Sequence, residues 1–437
     1  MVSKINSWPE FIALYSTCIL LLLLAAPTVW AGKNAYGEAF VRVGHSWADS
    51  GPVQGQPPSD ARATRDDGQY QHQVDELEGE GGPYAEALAE PLTGLGRHYR
   101  QKGDIGEALR LYRRALHVVR VNDGLYSERQ MPILRELLDI YRVNGELELL
   151  DNRYDYYFRL YGNGQPPYTD VRLRAALAYL RWQREAVRLE IDEDDTLRIL
   201  AMYQLNDKLQ KSVAADSSVA LPGYRDLVLS QLRNLYLLED RFASTVQNAG
   251  LAPSTPLFAD SWNQEDFSKK RLELIQRGGL SRGAGMLQAL IDRTAATGDR
   301  TELARLYLEL GDWYQWHGND SLAGEQYQQV VQLLSQENQP DLLQQWLGQP
   351  RELPDNGAFW LSRPDREGDR QVVVSVRYDV SAKGRASNMQ TIVSDPADEG
   401  LASRLKRKLA RIRFRPRWVN GAAEAVLQIQ RDYQLID

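Results

Sequence analysis

Histidine is the side chain best suited to proton transfer near neutral pH, and the chain has five: His45, His72, His98, His117 and His317. None has a second histidine four residues on, and no metal-protease helix, phosphate-cradling Gly-rich loop, nucleophile elbow or dinucleotide fingerprint is present. The chain therefore reads as a non-enzyme without cofactor or metal. An uncharacterised cell-wall enzyme is the alternative, which a cleft with paired carboxylates of shifted pKa would favour. The acidic run Glu193-Asp194-Asp195 stands before Thr196 and an apolar stretch, where negative charge suits a helix start better than a cation site. The only cysteine, Cys18, lies in the leading apolar segment. A mature form beginning after that segment has no thiol, which excludes thiol catalysis, thiolate zinc and iron–sulfur clusters.

Arginine is where the chain is patterned. Near the C-terminus Arg404, Lys408 and Arg411 fall on one helix face, and Arg413, Arg415 and Arg417 alternate with Ile412, Phe414 and Pro416 along a strand. Both elements would turn charge to solvent and suit an anionic partner such as a phospholipid head group or an acidic protein surface. The formal net charge of −7 argues against wholesale nucleic-acid binding, as does the export signal described below.

Two kinds of element must position these residues. After Pro354 the runs "QVVVSVRYDV" and "ASNMQTIV" read as strands joined by a hairpin turn at Gly384. A helix from about Asp398 to Arg411 follows, burying Leu401, Leu405 and Leu409. Then come "IRFRPRWV", a turn at Asn420-Gly421 and the strand "EAVLQIQRDYQL", giving the order β-β-α-β-β.

Upstream, a helical pattern repeats. Leu95, Tyr99, Arg100, Gly103 and Tyr112 recur as Leu137, Tyr141, Arg142, Gly145 and Tyr154. Leu95, Gly96, Tyr99, Gly103, Ala108 and Tyr112 recur again as Leu310, Gly311, Tyr314, Gly318, Ala323 and Tyr327. Each copy spells a helix, a Gly turn and a second helix with an aromatic on its inward face. Between Asp170 and Arg300 the helical spacing persists while the pattern fades, with breaks expected at Gly250–Thr255 and at Gly278-Gly279.

The stretches "LGRHYRQKGDIGEALRLYRRAL" and "LGDWYQWHGNDSLAGEQYQQVV" resemble tetratricopeptide repeats. The step from Leu95 to Leu137 exceeds the ~34 residues usual there and is similar to the long-helix variety of kinesin light chains. The resemblance implies stacked hairpins whose first helices line a groove. Laid on this chain, that face carries Arg97, Arg100, Arg135 and Arg142, with Asp139 among them. A guanidinium fork grips carboxylates with two parallel bonds, so an acidic peptide or a free C-terminus is the expected ligand class. The last ~70 residues, through "VSVRYDVSAKGRASNMQTIVSD" and "RFRPRWVNGAAEAVLQIQRDYQL", resemble the C-terminal domain of TonB-type proteins, which implies a small sheet packed on a helix and able to pair an edge strand with a partner.

The expected fold is mainly α, a tetratricopeptide-like helical-hairpin solenoid followed by a small α+β TonB-like domain. Residues 1–31 read as a signal peptide, with Lys4, an apolar run from Phe11 to Ala26 and a cleavage signal ending at Ala31. Residues 32–83 read as a flexible linker, with a short extended piece at Ala39 to Val43. The repeats take residues 84–348 and the TonB-like domain residues 360–437. The function expected is that of an exported, periplasmic scaffold or adaptor binding protein partners of the cell envelope through the groove and the C-terminal domain. The alternative keeps Phe11 to Ala31 as an inner-membrane anchor, which ~20 apolar residues suffice to form, and makes the chain a TonB-like energy transducer for outer-membrane transport.

Overall fold

A computed structural model of the chain describes residues 40–42, 67–248, 264–359, 371–393 and 395–436. Among them the protein is mainly helical, with a small sheet region near the C-terminus. The leader and most of the stretch read as linker lie outside the described residues, as does the break expected at Gly250–Thr255. Part of that linker stretch is ordered secondary structure. Asp67–Gly81 is a helix, α1, whose Tyr70, Val74 and Leu77 recur at helical spacing and pack into the first apolar cluster. Its many Gln and Glu residues concealed an apolar stripe only three residues wide.

The next helices are α2 Ala89–Gln101, α3 Ile105–Asp123, α4 Met131–Val143 and α5 Leu147–Leu160. α2 is joined to α3, and α4 to α5, by one recurrent turn. Gly103 takes φ +83°, its N–H bonds the Arg100 carbonyl at 3.1 Å, and the next N–H, of Asp104, bonds the Tyr99 carbonyl at 3.0 Å. This pairing closes a helix through a left-handed residue, which glycine adopts without steric cost. Asp104 then caps α3 by accepting from the Glu107 N–H at 3.1 Å. The same closure recurs at Gly145 and at Gly318, and also at Gly162, where the sequence pattern has faded.

Helices α6 Asp170–Arg188, α7 Thr196–Ala214, α8 Leu221–Asn248, α9 Gln264–Arg277 and α10 Gly279–Ala295 fill the middle of the chain. The start of α7 at Thr196 is where the acidic run placed it, with Asp194 accepting from the Thr196 N–H at 2.8 Å. The last copy of the pattern forms α11 Arg300–Trp316 and α12 Asp320–Gln336, followed by the short α13 Pro340–Leu347. A Cβ on Gly96 would lie 2.7 Å from the Tyr112 ring, and one on Gly311 would lie 2.6 Å from the Tyr327 ring. In both copies the same glycine admits the same tyrosine between two helices.

The main sheet has the order β1-β8-β3-β4, all antiparallel, with β1 Phe40–Arg42, β3 Gln371–Val380, β4 Ala386–Ile392 and β8 Val426–Ile436. β1 falls within the extended piece expected at Ala39 to Val43, and it pairs Phe40 with Leu435. Val372, Val374, Val376, Tyr378 and Val380 alternate onto the buried face of β3, and Leu401, Leu405 and Leu409 of helix α14 Glu399–Leu409 join the same core. Two short pairs complete the region, β2 Arg351–Glu352 with β5 Phe414–Arg415, and β6 Arg417–Val419 with β7 Ala422–Glu424 around Asn420-Gly421. One apolar core runs without a break from Phe158 in the helices to Leu435 in the sheet.

Candidate partner-binding site

The pattern copies align Arg97 with Asp139 and Asp312, and Arg100 with Arg142 and Gln315. In the structure these positions meet charges from another segment. Arg97 Nε donates to Glu136 Oε1 at 2.6 Å and Arg100 Nη1 to Glu136 Oε2 at 2.9 Å, so one carboxylate of α4 takes both arginines of α2. Asp139 lies 3.7 Å from Arg100, and burial raises its carboxyl above the ordinary range against the pull of Arg100 and Arg142. Arg142 is 7% exposed and paired with Glu185 of α6, with a further bond of 3.1 Å to the Tyr154 hydroxyl. Of the four arginines expected to line a groove, only Arg135 is exposed.

The C-terminal arginines also turn inward. Ile412, Phe414 and Pro416 are buried as the alternation required, but Arg415 is buried with them at 3% exposure. Its Nε donates to Asp312 Oδ1 at 2.8 Å, its Nη2 to Oδ2, and its Nη1 to the Trp346 carbonyl at 3.0 Å. The expected solvent-facing arginine row is thus corrected at Arg415, because the strand is covered on that side by α11. Arg413 is half-buried near Asp320 at 3.7 Å, and burial with Arg385 nearby lowers its pKa below the ordinary arginine value. Arg417 is half-buried, its Nε without a hydrogen-bond partner. Arg404 and Lys408 of α14 are half-buried, and Arg411, which was expected on the same helix face, lies past the helix end and is exposed.

Arg142 and Arg415 are therefore out of a partner's reach, and Arg97 and Arg100 share the one carboxylate of Glu136. The residues that sequence reasoning missed are their acids: Glu136, Glu185 and Asp312. A signal was present, since the position after Leu95-Gly96 is Arg97 while its counterpart after Leu310-Gly311 is Asp312. A change of sign at an equivalent position announces a different partner.

His317 lies beside Glu239, Nε2 to Oε2 at 3.0 Å, with Nδ1 2.7 Å from the Trp313 carbonyl. Burial opposes its charge, but the Glu239 carboxylate outweighs burial and raises its pKa. A cleft of about 430 Å³ lies between α5, α6 and α7, where Tyr179 stacks on Phe158 with centroids 4.4 Å apart beside Asp155, Gln183 and Met202. Among the described residues no group of His, Cys, Asp and Glu is arranged to hold a metal, and no helix is long and apolar enough to cross a membrane.

No protein-family model matches the chain, and no curated protein matches it. β4 ends the strand order, and among the described residues its outer edge has no paired neighbour. Ile392 on that strand is 48% exposed. An unpaired edge offers a row of backbone donors and acceptors to a second chain.

Proposed function

We propose that the chain is an exported adaptor of the cell envelope, in which tetratricopeptide-type helical hairpins form a rigid scaffold and a TonB-like C-terminal sheet captures a protein partner. The open edge of β4 carries this reading. Natural sheets cover or charge their edges, so an uncharged strand ending in an exposed isoleucine suits strand addition by a partner. The inner arginines are better explained as the mortar of the scaffold, since Glu136, Glu185 and Asp312 already answer Arg97, Arg100, Arg142 and Arg415. Arg135 is the arginine left for an acidic partner.

The test is partner capture from envelope fractions by the full chain. Ile392→Lys places a charge on the edge without touching the core and should cut capture about tenfold, the size of effect expected for loss of a central apolar contact. Arg135→Glu should change capture less. Full capture by I392K, with loss on Arg135→Glu, would move the contact from the sheet edge to the helices.

A further inference from the structure

The segment Leu353–Phe359 joins the helices to the sheet and contains no helix or strand of its own. Even so, Leu353, Asp355, Asn356, Ala358 and Phe359 are all buried. Three helices hold it through polar and charged side chains. Arg233 of α8 donates Nε to the Asn356 carbonyl at 2.8 Å, and the Asn356 amide donates to Glu309 Oε2 of α11 at 3.1 Å. Arg188, the last residue of α6, places its guanidinium 4.6 Å from the Phe359 ring centroid, and the Trp316 ring lies 6.1 Å from the same ring. The Asn356 side-chain oxygen accepts from the Ala358 N–H at 3.1 Å, which sets the bend between asparagine and phenylalanine.

A connection that only had to be buried is held at lower cost by apolar contacts, because charges must be stripped of water before they pair. Here two arginines and a glutamate address a main-chain carbonyl, a carboxamide and an aromatic ring. Those are the features by which a protein surface recognises an extended peptide. We infer that the face formed by α6, α8 and α11 is a peptide-recognition site for a segment carrying asparagine and, three residues later, an aromatic, and that Leu353–Phe359 is its tethered occupant. A short tether supplies the occupant at an effective concentration in the millimolar range, so a free competitor of the same sequence enters only near that concentration. The inference concerns a different face from the β4 edge and stands whether or not that edge binds a partner.

The experiment uses a labelled synthetic peptide spanning Leu353 to Trp360 and the full chain carrying Asn356→Ala and Phe359→Ala. The folded double variant should bind the peptide at least about tenfold more tightly than wild type does, since its own occupant no longer competes. A peptide with alanine at both positions should not bind, and adding Arg188→Ala to the variant should abolish binding. A folded variant that binds neither peptide, or both equally, overturns the inference. Should the double variant lose its helical circular dichroism, wild type serves instead. Millimolar peptide should then raise hydrogen exchange across Leu353–Phe359, and unchanged exchange at that concentration overturns the inference.

Discussion

Asp312 and Arg415 are each 3% exposed and joined by two hydrogen bonds, with Asp355 3.4 Å from the same guanidinium and the Tyr327 hydroxyl donating to Asp312 at 2.9 Å. Removing one member of such a pair leaves the other charge buried, which costs about 3–5 kcal/mol, whereas exchanging both for apolar groups of similar volume costs little. Asp312→Ala should therefore lower stability in urea by about that amount, and Asp312→Leu with Arg415→Met should recover most of it. A single variant as stable as wild type would show that the pair is not buried in solution. Three residues before Asp312, burial and the neighbouring Asp312 charge raise the Glu309 carboxyl from its ordinary 4.5 to about 7, with the Asn356 amide opposing. The folded protein thus keeps a proton that the unfolded chain gives up. Its contribution is present in full below the ordinary value and is lost as pH rises through about 7. Relative to Glu309→Gln, wild type should lose up to ~3 kcal/mol across that window, measured by denaturant midpoints at a series of pH values. Parallel curves for the two proteins would contradict the upward shift of this half-buried carboxyl.

At the scale of elements, the hairpins depend on a glycine under a tyrosine. Gly311→Ala would press a methyl against the Tyr327 ring and should cost about 1–3 kcal/mol, the range of an overpacked core. Gly285→Ala is the control, since nothing lies within 4 Å of its Cβ position in the interior of α10, and removing a flexible glycine there should add ~0.5–1 kcal/mol. Equal thermal shifts for the two would mean that the close approach is absent. These elements were legible in the sequence because their causes are local. Gly103, Gly145 and Gly318 must take positive φ, and β3 coincides with "QVVVSVRYDV" because its period-two pattern buries every second residue. The ion pairs were not legible, since Arg415 and Asp312 are separated by 103 positions and nothing local says which acid an arginine will meet. Helix α1 was missed for another reason: its stripe of Tyr70, Val74 and Leu77 is thin, and its composition is that of a linker.

At the scale of the molecule, the middle helices and the sheet share one apolar core distinct from that of the first helices, and the Asp312–Arg415 ion pair fastens β5 to the last hairpin. Gln315, equivalent to Arg100 in the first copy, donates to the Lys383 carbonyl at 2.9 Å, so the inner positions of that hairpin are engaged by the chain's own C-terminal region. β1 pairs with Tyr433 to Leu435 of β8 and is itself the other end of the strand order, so among the described residues β4 is the longer of two edges without a paired neighbour. The most direct measurement is site-specific photo-crosslinking in cells producing the full chain, with the photoreactive residue at Ile392 on the edge and, as reference, at the exposed Val373 on β3. Capture by the sheet edge should give a discrete adduct with a second protein from position 392 and little or none from position 373. Adducts from 373 alone, or from neither position while adducts form from Arg135, would contradict capture by the sheet edge.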